Sequence, residues 1–165
     1  LIYKFIFKKN KNFFKISNNN LPFQILILLV FIQIIMGAFV SGLDAGKIYQ
    51  TWPLMGNTYF PNDFFLKNFN DIVQFENHSL VQFYHRNLAY LITLYSFILA
   101  LFIYKKKITN LYNSINILIF FLLLQITLGI LTLISGLNIY LASLHQITSV
   151  FFILSALNLY YFRAK

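Results

Sequence analysis

The sequence predicts an all-α integral membrane protein: a four-helix transmembrane bundle built from two similar helical hairpins. Three observations predict it. Hydrophobic residues fill 59% of the 165 positions and charged residues only 10%, against about 25% charged in a soluble domain. Four apolar runs are each long enough to cross a hydrocarbon core of ~30 Å. Basic residues gather in alternate connections between those runs.

Residues 1–20 (LIYKFIFKKNKNFFKISNNN) mix Lys, Phe and Asn and read as a basic linker or interfacial segment on the inside. The membrane domain then covers 21–165, with spans at about 21–41, 79–104, 114–135 and 138–162. Each is read as a helix, because a lone helix satisfies its own backbone in lipid. Lys4, Lys8, Lys9, Lys11 and Lys15 precede the first span, Lys105, Lys106 and Lys107 lie between the second and third, and Arg163 and Lys165 end the chain. All four acids, Asp44, Asp63, Asp71 and Glu76, lie in the 42–78 loop with only Lys47 and Lys67 as cations. Basic loops stay on the cytoplasmic or matrix side. Both termini and the 105–113 loop are therefore expected inside, and the 42–78 loop and the 136–138 turn outside. The net charge of +9 is explained by these flanking lysines, so the expected partner is the lipid bilayer and not a nucleic acid. Absent cysteine excludes disulfides and thiolate metal sites. No signal peptide is evident, and a first residue of Leu1 suggests part of a longer polypeptide.

A weak internal repeat supports the two hairpins. Gln33-Ile-Ile-Met-Gly37 followed by Ser41-Gly42-Leu43 matches Gln125-Ile-Thr-Leu-Gly129 followed by Ser135-Gly136-Leu137. The second and fourth spans carry His85 and His145. Each lies about 10 Å below the outer edge of its span at 1.5 Å per residue. A two-fold-like bundle sets them face to face at one depth.

Ionisable side chains inside spans are costly and mark function. Two histidines at one depth suit axial ligation of one haem iron; the bland alternative is a pair of interhelical hydrogen bonds. Zinc fits worse, because the third histidine, His78, is in the loop and no carboxylate lies in a span to complete a tetrahedral set. Gly37, Ala89, Gly129, Ala142 and Ser149 could make room for a flat porphyrin, or serve ordinary close packing. Arg86 could meet a haem propionate or snorkel to headgroups. Gln82 and Gln146 could orient the imidazoles or bond between helices, and Gln33 and Gln125 read the same way. The outer loop, with Trp52, Tyr59, Phe60, Phe64 and Phe65, reads as an interfacial aromatic segment or a lid over the bundle. No catalytic residue is found in this chain.

The segments GAFVSGLDAGKIYQTWPLMG (37–56), FENHSLVQFYHRNLAY (75–90), LQITLGILTL (124–133) and LASLHQ (141–146) resemble haem A synthase of the mitochondrial and alphaproteobacterial type. The resemblance implies a specific assignment. The family has eight transmembrane helices in two four-helix halves and oxidises the C8 methyl of haem O to the formyl of haem A for cytochrome oxidase assembly. This chain resembles the C-terminal half, which holds haem b through two histidines matching His85 and His145. The half that binds haem O, with its own histidine pair and a glutamate, has no counterpart here. Tyr84 departs from an acid expected before the histidine. Implied partners are haem O, haem O synthase and cytochrome oxidase assembly factors. The implied location is a bacterial cytoplasmic or mitochondrial inner membrane. The competing readings are a stand-alone membrane b-type cytochrome and a cofactor-free assembly protein.

Overall fold

A computed structural model describes residues 16–63 and 74–164. Most of the basic segment predicted at 1–20, and Phe64, Phe65, Lys67, Asp71 and Lys165, lie outside the described residues. Four long helices form the described fold: α1 (Leu21–Gly42), α2 (His78–Lys105), α3 (Tyr112–Ile134) and α4 (Ile139–Ala164). Two 3₁₀ turns, Ala45–Lys47 and Thr109–Leu111, follow α1 and precede α3. All four helices are long and apolar enough to cross a membrane. The predicted spans match them to within two residues at every end.

Local chemistry sets the ends. Pro22 opens α1, where its missing N–H is no loss. The Asn77 side chain accepts from the Leu80 N–H at 3.0 Å and caps α2. The Asn138 side chain accepts from Tyr140 N at 3.0 Å and caps α4. Lys105 and Arg163 occupy the last turns of α2 and α4, where a cation complements the helix dipole.

The helices pack in cyclic order, with α1 on α2, α2 on α3, α3 on α4 and α4 on α1. The histidine helices α2 and α4 are thus diagonal. Leu28, Phe31, Leu94, Ile98, Leu101, Phe120 and Leu154 point outward and are exposed, as lipid-facing side chains are.

The close-packed core sits in the half of the bundle toward Lys105–Lys107. There Phe23, Leu26, Val30, Leu99, Ile103, Ile115, Leu118, Leu122, Phe152, Ala156 and Leu159 form one buried cluster. Gln24 donates to the Tyr160 hydroxyl at 2.8 Å, and the Tyr95 hydroxyl donates to the Pro22 carbonyl at 2.8 Å. The opposite half is packed differently. From Leu123 through Phe151, which includes His145, no residue is buried.

The repeat holds, with one correction. The same spacing relates Gln33 to Gln125 and Gly37 to Gly129. It also relates Asp44 to Gly136, and these take left-handed φ values of 54° and 71°. Each follows its helix end by two residues. The Ser-Gly-Leu match read from the sequence is out of register: Gly42 is the last residue of α1, whereas Gly136 lies in the turn after α3. Helix length after the Gln-Gly pair, not the tripeptide, defines equivalent positions.

Candidate functional site

His85 and His145 each lie two turns from the loop-side start of their helices, about 10 Å in. Each is gripped by the odd-numbered helix of its own hairpin. From α1, the Gln33 side-chain amide donates to the His85 carbonyl at 3.1 Å, and the same nitrogen makes a long 3.4 Å contact with His85 Nε2. From α3, the Gln125 amide donates to the His145 carbonyl at 2.9 Å and also to the Thr148 hydroxyl. One turn further along each helix is a glycine. A Cβ at Gly37 would stand 3.2 Å from His85 Cε1, and one at Gly129 would stand 3.1 Å from His145 Cε1. Both are tighter than the ~3.5–4.0 Å of relaxed carbon contacts, so only glycine lets the imidazoles lie this close to the neighbouring backbone. Gln-x-x-x-Gly is therefore a grip, used once per hairpin.

The rings keep unused bonding capacity. Nδ1 of His85 and Nδ1 of His145 are both buried with no hydrogen-bond partner. A neutral imidazole has one N–H and one lone pair, so each ring can still make a bond that the neighbouring residues do not supply. A metal ion is one partner that would take it. Among the described residues, no group of three or more His, Cys, Asp or Glu gathers. Any metal here would have to draw on the two histidines and bring further ligands of its own.

Arg86, the candidate propionate contact, turns toward the outer loop. Its guanidinium donates to the carbonyls of Thr51 at 2.9 Å, Leu54 at 3.2 Å and Tyr49 at 2.9 Å. Gln82, one turn earlier on α2, donates to the same Tyr49 carbonyl at 2.8 Å. Gln82 is buried and serves the loop, not the imidazole; Gln146 lies exposed on α4. The histidine partners are the glutamines of the neighbouring helices, because a side chain crossing from α1 or α3 reaches the histidine helix where a residue on the same helix points past it.

The loop is held at several further points. The Tyr59 hydroxyl donates to the Asn87 side chain. Phe60 packs edge-on against Phe83 at 5.0 Å. Gly46 touches Leu137 in the α3–α4 turn so closely that a Cβ would meet it at 2.9 Å. The described part of the loop thus reaches from the first hairpin to the tip of the second, at the histidine end of the bundle.

Sequence reading missed Asp63. Its carboxylate accepts from the Tyr49 hydroxyl at 2.6 Å and from the Ser79 hydroxyl at 2.5 Å. Burial pushes its pKa up, but those two hydroxyls and a backbone hydrogen bond together outweigh burial and hold it below the usual carboxylate value. Burial, helped by Asp63, raises the Tyr49 phenol. The available signal was an acid in an aromatic loop, which is too common to single out.

The family model COX15-CtaA, described as cytochrome oxidase assembly protein, matches residues 8–157. A "Heme A synthase" of Pelagibacter ubique is 43% identical over 136 residues, covering 79% of this chain and 38% of the relative. A "Heme A synthase" of Wolbachia pipientis subsp. Culex pipiens is 40% identical over 156 residues, covering 94% of this chain and 45% of the relative. One from Rickettsia rickettsii is 34% identical over 141 residues, covering 86% and 41%. The chain spans less than half the length of these curated relatives. No solved structure matches.

Proposed function

Because the chain belongs to the COX15-CtaA family of cytochrome oxidase assembly proteins, we propose that it forms the C-terminal, haem b-binding half of a haem A synthase. That oxidoreductase converts the C8 methyl of haem O to the formyl of haem A. His85 and His145 are the axial ligands in this reading. The observation that carries it is the duplicated grip: two histidines at one depth on diagonal helices, each seated on a glycine and tied by a glutamine. Their partnerless Nδ1 atoms fit a ligand that bonds to both rings.

Bound there, haem b supplies a one-electron carrier. The protein's own residues do the rest. Gly37 and Gly129 let the rings approach, Gln33 and Gln125 hold the backbone of each ligand, and Arg86 and Gln82 fasten the loop over that end. No acid lies in any of the four helices, so the oxidation of haem O is assigned to the half that this chain does not contain. The basic residues Lys105–Lys107 and Arg163 support termini on the cytoplasmic or matrix side of a bacterial or mitochondrial inner membrane in this reading. Haem O synthase and oxidase assembly factors are the expected partners.

The test is complementation. Cells lacking their own haem A synthase receive the full-length gene, and extracted haems are separated by chromatography. Haem A accumulates with the parent gene and falls at least tenfold with His85→Ala or His145→Ala. Undiminished haem A in both variants contradicts the proposal.

A further inference from the structure

The two grips are equivalent in sequence but differ at the ring. Gln125 directs its amide hydrogens to the His145 carbonyl and the Thr148 hydroxyl, both away from the imidazole. Gln33 reaches the His85 carbonyl and also lies against the ring at Nε2. It is the one side chain among the described residues within hydrogen-bonding distance of either imidazole. Its Oε1 is buried and has no partner. Gln33 Oε1 and His85 Nδ1 are thus both buried and unsatisfied in the same site, and such groups are costly.

We propose that Gln33 is a positioning residue that tunes one haem ligand and not the other, so that His85 and His145 bind the iron unequally. This rests on the haem b reading above. An imidazole that gives one nitrogen to iron carries its proton on the other and needs an acceptor there. An amide turned over exchanges nitrogen for oxygen without changing shape. Turned over, Gln33 gives up its bond to the His85 carbonyl and presents to the ring the oxygen that is now unsatisfied. An acceptor on the ring N–H makes the ligand more basic, which favours ferric iron and lowers the reduction potential. His145 has no such acceptor, because Gln125 bonds to the His145 carbonyl and Thr148 and makes no hydrogen bond to the ring.

The experiment is potentiometric titration of haem b in the full-length membrane protein. Gln33→Met and Gln125→Met keep side-chain length and remove the amide. Gln33→Glu keeps an oxygen at the same reach. Gln33→Met is expected to keep its haem and shift the midpoint potential upward. Gln125→Met is expected to leave the midpoint unmoved while losing haem sooner on heating. Gln33→Glu is expected to hold haem at a midpoint equal to or below the parent. An unmoved midpoint in Gln33→Met, or an equal shift in Gln125→Met, overturns the proposal. So does haem loss from both Gln33 variants, which leaves Gln33 a structural anchor only. Haem b missing from the unsubstituted protein would instead sink the underlying reading, and it shows in a different sample.

Discussion

Adding one methyl group to either grip glycine separates ligand placement from helix stability. In Gly37→Ala the new Cβ falls 3.2 Å from His85 Cε1, and in Gly129→Ala it falls 3.1 Å from His145 Cε1. A relaxed carbon contact is ~3.5–4.0 Å, so the ring must retreat by at least ~0.3 Å. Overpacking of this kind costs about 1–3 kcal/mol. Alanine returns about 1 kcal/mol of helix propensity relative to glycine. The helix gain is spread over the fold, whereas the clash falls on the ring. The clash alone bears on haem retention, and ~1–3 kcal/mol corresponds to retention about 5- to 140-fold weaker, at 1.4 kcal/mol per tenfold. Gly42 is the control, since nothing lies within 4 Å of a Cβ there. The assay is haem per protein by pyridine haemochrome, together with the unfolding midpoint of the same sample. Gly37→Ala and Gly129→Ala should fold to normal yield with depleted haem, and Gly42→Ala should keep both. Full haem and an unaltered spectrum in both grip variants would refute the idea that the glycines exist to seat the imidazoles.

Three other outcomes are expected. Arg86→Ala removes three bonds to loop carbonyls, partly solvent-exposed, and should loosen the loop by about 2 kcal/mol; limited proteolysis within 49–63 should quicken, and Arg86→Lys should not restore protection, because it lacks the forked geometry. The loop should also loosen in acid. The Asp63 carboxyl is held below its ordinary value, so its stabilising bonds are present above that value and are lost as pH falls through about 4 and lower; proteolysis should rise there, and Asp63→Asn should flatten the profile. In the core, Leu118→Ala, fully buried, should cost about 2–5 kcal/mol, read as a lowered unfolding midpoint.

The helices were readable because lipid leaves the backbone few choices. A run such as LPFQILILLVFIQIIMGAFVS has to be a span, and its ends fall where Pro22 and the polar loop put them. The histidines were readable for the same reason, since an imidazole ten ångströms into a span has no bland solvent to meet. Their equal depth followed from counting residues. Three features were not readable. The Ser-Gly-Leu echo misled because a tripeptide can recur in sequence without recurring in register. Gln82 was indistinguishable from Gln33 as an imidazole partner until the helix faces were known. Arg86 bonds to main-chain carbonyls of Tyr49, Thr51 and Leu54, and carbonyls carry no sequence signature. Where a loop folds back on a helix, its partners depend on a path that residue types leave open.

The central claim is that His85 and His145 hold one iron between them. Near-infrared magnetic circular dichroism of oxidised haem b in the full-length protein, paired with electron paramagnetic resonance, reads axial ligands directly. The account predicts a low-spin centre with two imidazole ligands, and loss of that signature in His85→Met and in His145→Met separately. A bis-imidazole signature that survives either substitution would contradict it.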